Sequence, residues 1–254
     1  MAIRQSTGLR DFIAALGCYK RAFEGGVLKI YSGSQPASAD SAVSGTLLCT
    51  LTLASGARTD EVRAVGTVTL TGGSSGNISS ITVNSVEVLG ATITYDTSLS
   101  NTASLIAAQI NAYQSVPKYS ATSSGAVVSI KAMPGTGTGP NGYVVASTAA
   151  TLTKTDANMA SGVAGVNGLT FGTTSAGVLS KSTGTWSGTN VASGTAGCFR
   201  LCGTELDSNG SSTTLIRLDG SIAASGSDLN VGSTTLTSGA TFSIDQFDVT
   251  VPSA

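Results

Sequence analysis

Gly26-Val27-Leu28-Lys29-Ile30-Tyr31-Ser32-Gly33-Ser34-Gln35-Pro36 is the stretch that decides the fold. Val27 to Tyr31 is a short run of β-forming residues, and the Ser, Gly and Pro that follow are turn formers, so it reads as one strand and its closing turn. Thr46 to Leu53 reads as a second strand, partly alternating and partly continuous in its apolar residues. Upstream, residues 6–24 carry Leu9, Phe12, Ile13, Leu16 and Phe23 on a 3.6-residue period, which predicts a helix. Ser6 or Thr7 supplies its cap, Asp11 lies near the positive end, Lys20 and Arg21 near the negative end, and Gly25-Gly26 stops it. This helix packs on its own domain or docks on a neighbouring subunit. Two strands and a helix do not close a core, so partners for Val27 to Tyr31 have to come from elsewhere in the chain.

They are available from Gly168 onward. Strands are predicted near Leu169 to Phe171, Gly177 to Ser180, Cys198 to Cys202, Ser212 to Asp219, Thr234 to Leu236 and Phe242 to Val251, with Gly, Ser and Thr turns between them. That spacing points to a sandwich or jelly roll. Between the two ends the pattern changes at Arg58-Thr59-Asp60-Glu61-Val62-Arg63, the densest charged patch. Strands follow at Val65 to Leu70, Ile81 to Val83, Val86 to Leu89 and Ala91 to Tyr95. A helix then carries Leu99, Leu105, Ile106, Ile110 and Tyr113 on one face, capped by Ser98 or Ser100 and barred from continuing by Pro117. A hairpin around Ser123-Ser124-Gly125 and a strand in Gly142 to Thr153 complete an α+β module.

The fold class is therefore mainly β: a β-sandwich or jelly-roll-like framework from residues 1–58 and 165–254, with an inserted α+β domain at 59–164. All the cysteines, Cys18, Cys49, Cys198 and Cys202, fall in the framework. Insertion at an exposed turn is well tolerated. A plain tandem of two domains is the alternative arrangement.

Composition narrows the function. Charged residues are 11% of the chain, against about 25% in an ordinary soluble domain, and they nearly cancel at a net charge of −1. Such a surface does not repel its own copies. The absence of a Lys/Arg run removes the footprint of nucleic-acid binding. Mean hydropathy is +0.25, yet Gly and Ser interrupt every apolar run, so no membrane-spanning helix is expected. Arg4, Arg10 and Asp11 interrupt what would be the apolar core of a signal peptide, which predicts synthesis in the cytoplasm.

The chain has no histidine, which excludes His-based triads and His metal sites and leaves carboxylate, lysine or cysteine chemistry. Cys198 and Cys202 at i, i+4 on a strand share a face about 13 Å apart, too far to bond each other. No C-x-x-C knuckle points to zinc. The cysteines read as small buried hydrophobes, or as candidates for an intersubunit disulfide, Cys18 first because its helix could reach a neighbour. Pro134 to Gly142 lacks the Lys-Ser/Thr ending of a phosphate loop and reads as a loop tip. Asp40, Asp207, Asp219, Asp228, Asp245 and Asp248 stand singly and read as turn caps. Trp186 reads as a core or interface anchor, with a shelf for host-surface glycans as the alternative. No catalytic residue, metal or cofactor is expected, and the chain reads as a non-enzyme.

Several segments resemble a family of tailed-bacteriophage virion proteins of the capsid-decoration, or cement, type. They are Ser6 to Arg10; Gly26 to Asp40; Gly194 to Gly197 with Phe199-Arg200; Arg217-Leu218-Asp219-Gly220-Ser221; Gly226 to Leu229; and Ile244 to Phe247. The match lies at both ends of the chain and skips the middle, which favours insertion over tandem. The inserted part resembles α+β modules of other phage structural proteins at Ile81 to Asn84 and the Asn101 to Asn111 helix. The resemblance implies a self-associating β-sandwich, a homotrimer, bound to the major capsid protein on the outside of the virion; a neck, tail or fibre-base position is the alternative. Leu9, Phe12, Leu16, Phe23 and Trp186 are the candidates for core or interface contacts.

Overall fold

The computed structural model describes residues 3–250, with the side chain of Leu16 outside the description. The protein is mainly β, built from several antiparallel sheets. It divides into two compact units, Met1–Glu61 with Gly165–Ala254, and Val62–Ala164.

The framework opens with β1 (Arg4–Gln5), α1 (Thr7–Leu16), α2 (Tyr19–Phe23), β2 (Val27–Ser32) and β3 (Leu47–Leu53). The helix expected over 6–24 is thus two helices. Gly17 takes the left-handed conformation at φ 78°, its N–H bonds the carbonyl of Ile13, and Cys18 is extended, so α1 stops a turn after Phe12. Ser6 is the cap, accepting from the N–H of Leu9.

The inserted unit contains β4 (Val65–Gly72), β5 (Asn77–Val83), β6 (Val86–Glu87), β7 (Ile93–Thr94), α3 (Leu99–Ala112), β8 (Ser120–Ser124), β9 (Val127–Lys131), β10 (Val145–Ala150) and β11 (Thr153–Ala160). One sheet runs β10-β5-β6 with β7 also on β5, and the other runs β11-β4-β9-β8. The single strand expected in Gly142 to Thr153 is two, β10 and β11, joined through Thr151 at φ 68° and paired in different sheets. Ser98 caps α3, whose Ile106 and Ile110 join Val68, Ile78, Ile81, Val128 and Ile130 in the core of this unit. Chain entry and exit lie together, since Val62 and Val163 form an antiparallel bridge.

The framework then resumes with β12 (Val178–Ser180), β13 (Trp186–Thr189), β14 (Gly194–Cys202), β15 (Arg217–Ala223), β16 (Leu229–Asn230), β17 (Thr235–Leu236), β18 (Thr241–Ile244) and β19 (Asp248–Thr250). Its main sheet has the order β1-β15-β14-β2-β3-β13-β18, with β16 on β15 and β17 on β14, and β12 pairs with β19. Val27 to Tyr31 therefore takes its partners from both ends of the chain: β2 lies between β3 and β14. Three expectations fall short. Leu169 to Phe171 is not a strand, Phe171 making only an isolated bridge to Lys181. The stretch Ser212 to Asp219 is strand only from Arg217, and Phe242 to Val251 is two strands; β13 around Trp186 was not expected at all. Ser187 and Gly188 interrupt the β signal of Trp186 and Thr189, and Gly188 is required there because a Cβ would sit 2.1 Å from the Thr50 carbonyl oxygen.

Alternation along the central strands sends two chemically different sets of side chains to the two faces of this sheet. Leu28, Ile30, Cys49, Leu51, Phe199, Leu201, Leu218 and Ile222 face the main core, with Leu9, Phe23 and an aromatic group of Trp186, Phe171 and Phe247. The opposite face of β2, β14 and β15 presents Lys29, Tyr31, Cys198, Arg200, Cys202, Arg217 and Asp219. Both faces are buried.

Candidate functional site

The second face is the chemically densest place in the framework. Arg200 on β14 and Asp219 on β15 are register partners, and so are Arg4 and Asp219, and Arg200 and Lys29. A row of charges therefore crosses four strands. Arg200 holds Asp219 through Nε and Nη2, both 2.8 Å from carboxylate oxygens, and both side chains are 0% exposed. One register step away, Arg217 holds Asp207 through Nε at 2.7 Å and Nη2 at 2.6 Å. Cys202 Sγ lies 3.4 Å from Asp207 Oδ2.

The pairs do not spend all the donors. Arg200 Nη2 donates to the carbonyls of Ala39 and Ser41, Arg217 to those of Ala39 and Gly210, Arg4 to Gln35 and Pro36, and Lys29 to Asp207. Arg200 Nη1 also reaches Asn209 Oδ1 at 3.1 Å, and Asn209 in turn accepts from the N–H of Val43 and donates to its carbonyl, both at 3.0 Å. Residues 33–46 and 203–216 have almost no regular backbone pairing of their own. Guanidinium and ammonium groups supply it, in a fork geometry suited to several acceptors at once. The two loops become a lid over the charged face.

Burial sets the protonation. It pushes the Asp207 carboxyl up, but the Arg217 hydrogen bonds, the Asn209 N–H and the nearby Arg217 and Lys29 charges outweigh it and hold Asp207 below the ordinary carboxylate range. At Asp219 burial wins over the pull of Arg200 and raises the carboxyl. Burial also raises the Tyr31 phenol and the Cys202 thiol far above their ordinary values, and lifts the Cys198 thiol to about 11. With both carboxylates fixed in bidentate pairs, the arrangement is suited to holding shape.

The reading of Asp219 as a turn cap is corrected: it is a buried anion of this layer. Asp207 is a buried anion too, yet it also caps its own turn, accepting from the N–H of Asn209 at 2.8 Å, and Asp40 accepts from the N–H and hydroxyl of Thr7 at the start of α1. No signal in the linear sequence distinguishes them, except that Arg200, Arg217 and Asp219 interrupt otherwise apolar strands.

The other candidate residues are placed as follows. Leu9, Phe23 and Trp186 are fully buried and Phe12 is 7% exposed, all in the framework's own core, so they are unavailable to a neighbour. The Leu16 side chain lies outside the described residues. Cys49, Cys198 and Cys202 are buried free thiols, which removes them as intersubunit disulfide candidates; Cys18 is exposed. Cys198 and Cys202 lie beside the charged face, whereas Cys49 belongs to the main core. Among the described residues no three His, Cys, Asp or Glu side chains gather as a metal site. None of the aromatic rings is exposed; the rings of Tyr19, Tyr95, Tyr113, Tyr143 and Phe242 are half-buried and the others buried. No helix among the described residues is long and apolar enough to cross a membrane.

These features define a mainly β, sandwich-like framework with a sealed ionic layer and an inserted α+β unit. The chain matches no family model, no curated protein and no solved structure.

Proposed function

We propose that this chain is a structural protein of a bacteriophage particle, which binds the capsid exterior as a self-associating decoration protein. The observation that carries the reading is the sealed ionic layer: the groups best able to do chemistry, Arg200, Arg217, Asp207, Asp219 and Cys202, are buried and committed to one another and to loop carbonyls. A fold that spends its reactive groups on rigidity suits a part that must hold its shape on a shell. The net charge of −1 supports association of copies. The resemblance of the framework segments supplies the phage setting and the major capsid protein as partner. A glycan-adhesin role gains nothing from the aromatic rings, since a sugar shelf needs an exposed one.

Mass spectrometry of purified virions, with and without reductant, tests this. The chain should be found in particles at a copy number matching the capsid lattice, and cryo-EM should place it on the shell. Absence from particles sinks the proposal, and density only at the neck or tail moves the protein there.

A further inference from the structure

The main sheet of the framework has two ends, and they are finished differently. At β15 every outward backbone position is occupied. Arg217 exchanges hydrogen bonds with Ser6, Leu218 and Asp219 pair with β1, the N–H of Ser221 donates to Asp228 Oδ2 at 2.8 Å, and Ile222 and Ala223 pair with β16. The inserted unit closes two of its edges, β8 and β10, in the same manner. Asn111 matches both backbone groups of Ala121 on β8 at 2.8 Å, and Asn158 and Asp156 accept from Val145 and Ser147 on β10.

The edge at β18 has none of these devices. Thr241–Ile244 pairs with β13 alone among the described residues, in an unshifted register from Trp186↔Ile244 to Thr189↔Thr241. It carries no Lys, no Pro, no bulge and no side-chain clamp, which are the means by which sheets ordinarily block edge-to-edge pairing. Thr241 and Ser243 are exposed, and the strand bears no charge. Alternate residues along it direct both an N–H and a C=O outward.

We infer that β18 is a self-pairing edge, which takes the β18 of a second copy in an antiparallel, two-fold arrangement that continues the main sheet from one molecule into the next. This rests on the self-association in the proposed function and names its surface. A second copy is the occupant because the edge is neutral and self-complementary: Thr and Ser hydroxyls meet their own kind across the two-fold, and a chain of net charge −1 adds little repulsion. Four residues span only about 13 Å, far short of the roughly 1,600 Å2 of a standard interface. The pairing is therefore weak in dilute solution and strong where a shared surface holds copies at high effective concentration.

Sedimentation velocity on the full chain, up to about 1 mM, the effective concentration of tethered partners, is the test. Wild type should dimerise with rising concentration, and hydrogen exchange of Thr241 to Ile244 should slow in parallel. The double variant Thr241→Lys/Ser243→Lys sets like charges against each other on exposed positions, and should weaken dimerisation at least about tenfold at unchanged Tm. A variant that still associates, with β18 exchange independent of concentration, overturns the edge and leaves self-association standing. A wild type that stays monomeric throughout overturns both. Should the variant fail to fold, the concentration dependence of wild-type exchange at β18 decides alone.

Discussion

Arg200 and Asp219 make the energetics of single residues testable. An ion pair sealed at 0% exposure is costly to break from one side, because the abandoned charge has no water to turn to. Asp219→Asn should cost about 3–5 kcal/mol in urea unfolding, whereas the double replacement Arg200→Met/Asp219→Leu should recover a large part of that. The second pair gives a pH signature. Asp207 is held below its unfolded value of about 4, so its contribution is present above that value and is lost as the pH falls through the lower, folded one. The raised carboxyl of Asp219 acts in the opposite sense, so the comparison to make is wild type against Asp207→Asn: the variant should be less stable at neutral pH and show a flatter decline between about pH 5 and 2. Thiol reactivity separates the cysteines. In the native chain only Cys18 should react rapidly with a thiol reagent, since Cys49 and Cys198 are buried with thiols raised to about 11 and Cys202 is raised further. Fast titration of more than one thiol before unfolding would contradict this placement.

Among elements, the break between α1 and α2 depends on one position. Gly17 is left-handed, with open space around its α-carbon, so Gly17→Ala should cost about 1 kcal/mol from backbone strain alone, read as a lowered urea midpoint with unchanged m. The sequence carried much of what lies at this scale and missed the remainder for definite reasons. Strands β2, β3 and β14, helix α3 and the β8–β9 hairpin were legible because alternation, a serine cap and a Ser-Gly turn are local signals. The two-helix start was not, because the apolar period runs on across Gly17 and conceals its left-handed turn. Strand β13 was not, because Trp186-Ser187-Gly188-Thr189 is strand only through its neighbours Leu53 and Ile244. The ionic layer was invisible for the same kind of reason: Arg200 and Asp219 are nineteen residues apart and meet only through the register of β14 on β15.

For the whole molecule, the bridges that flank the insertion set the expectation. Within the framework Thr59 pairs with Val166, and within the inserted unit Val62 pairs with Val163. The inserted unit has its own core, so residues 62–164 expressed alone should fold, with a cooperative melt and protected amides in β4, β5 and α3. A fragment without such a melt would make the two units one cooperative body. The pairing of Thr59 with Val166 also has a topological meaning. For the framework, everything between those two residues is a tether whose ends are already fastened, and closure entropy grows only with the logarithm of a tether's length. A longer, shorter or foreign cargo spliced at this doorway would leave the host's folding balance nearly untouched, which makes the position a natural port for exchanging one domain for another.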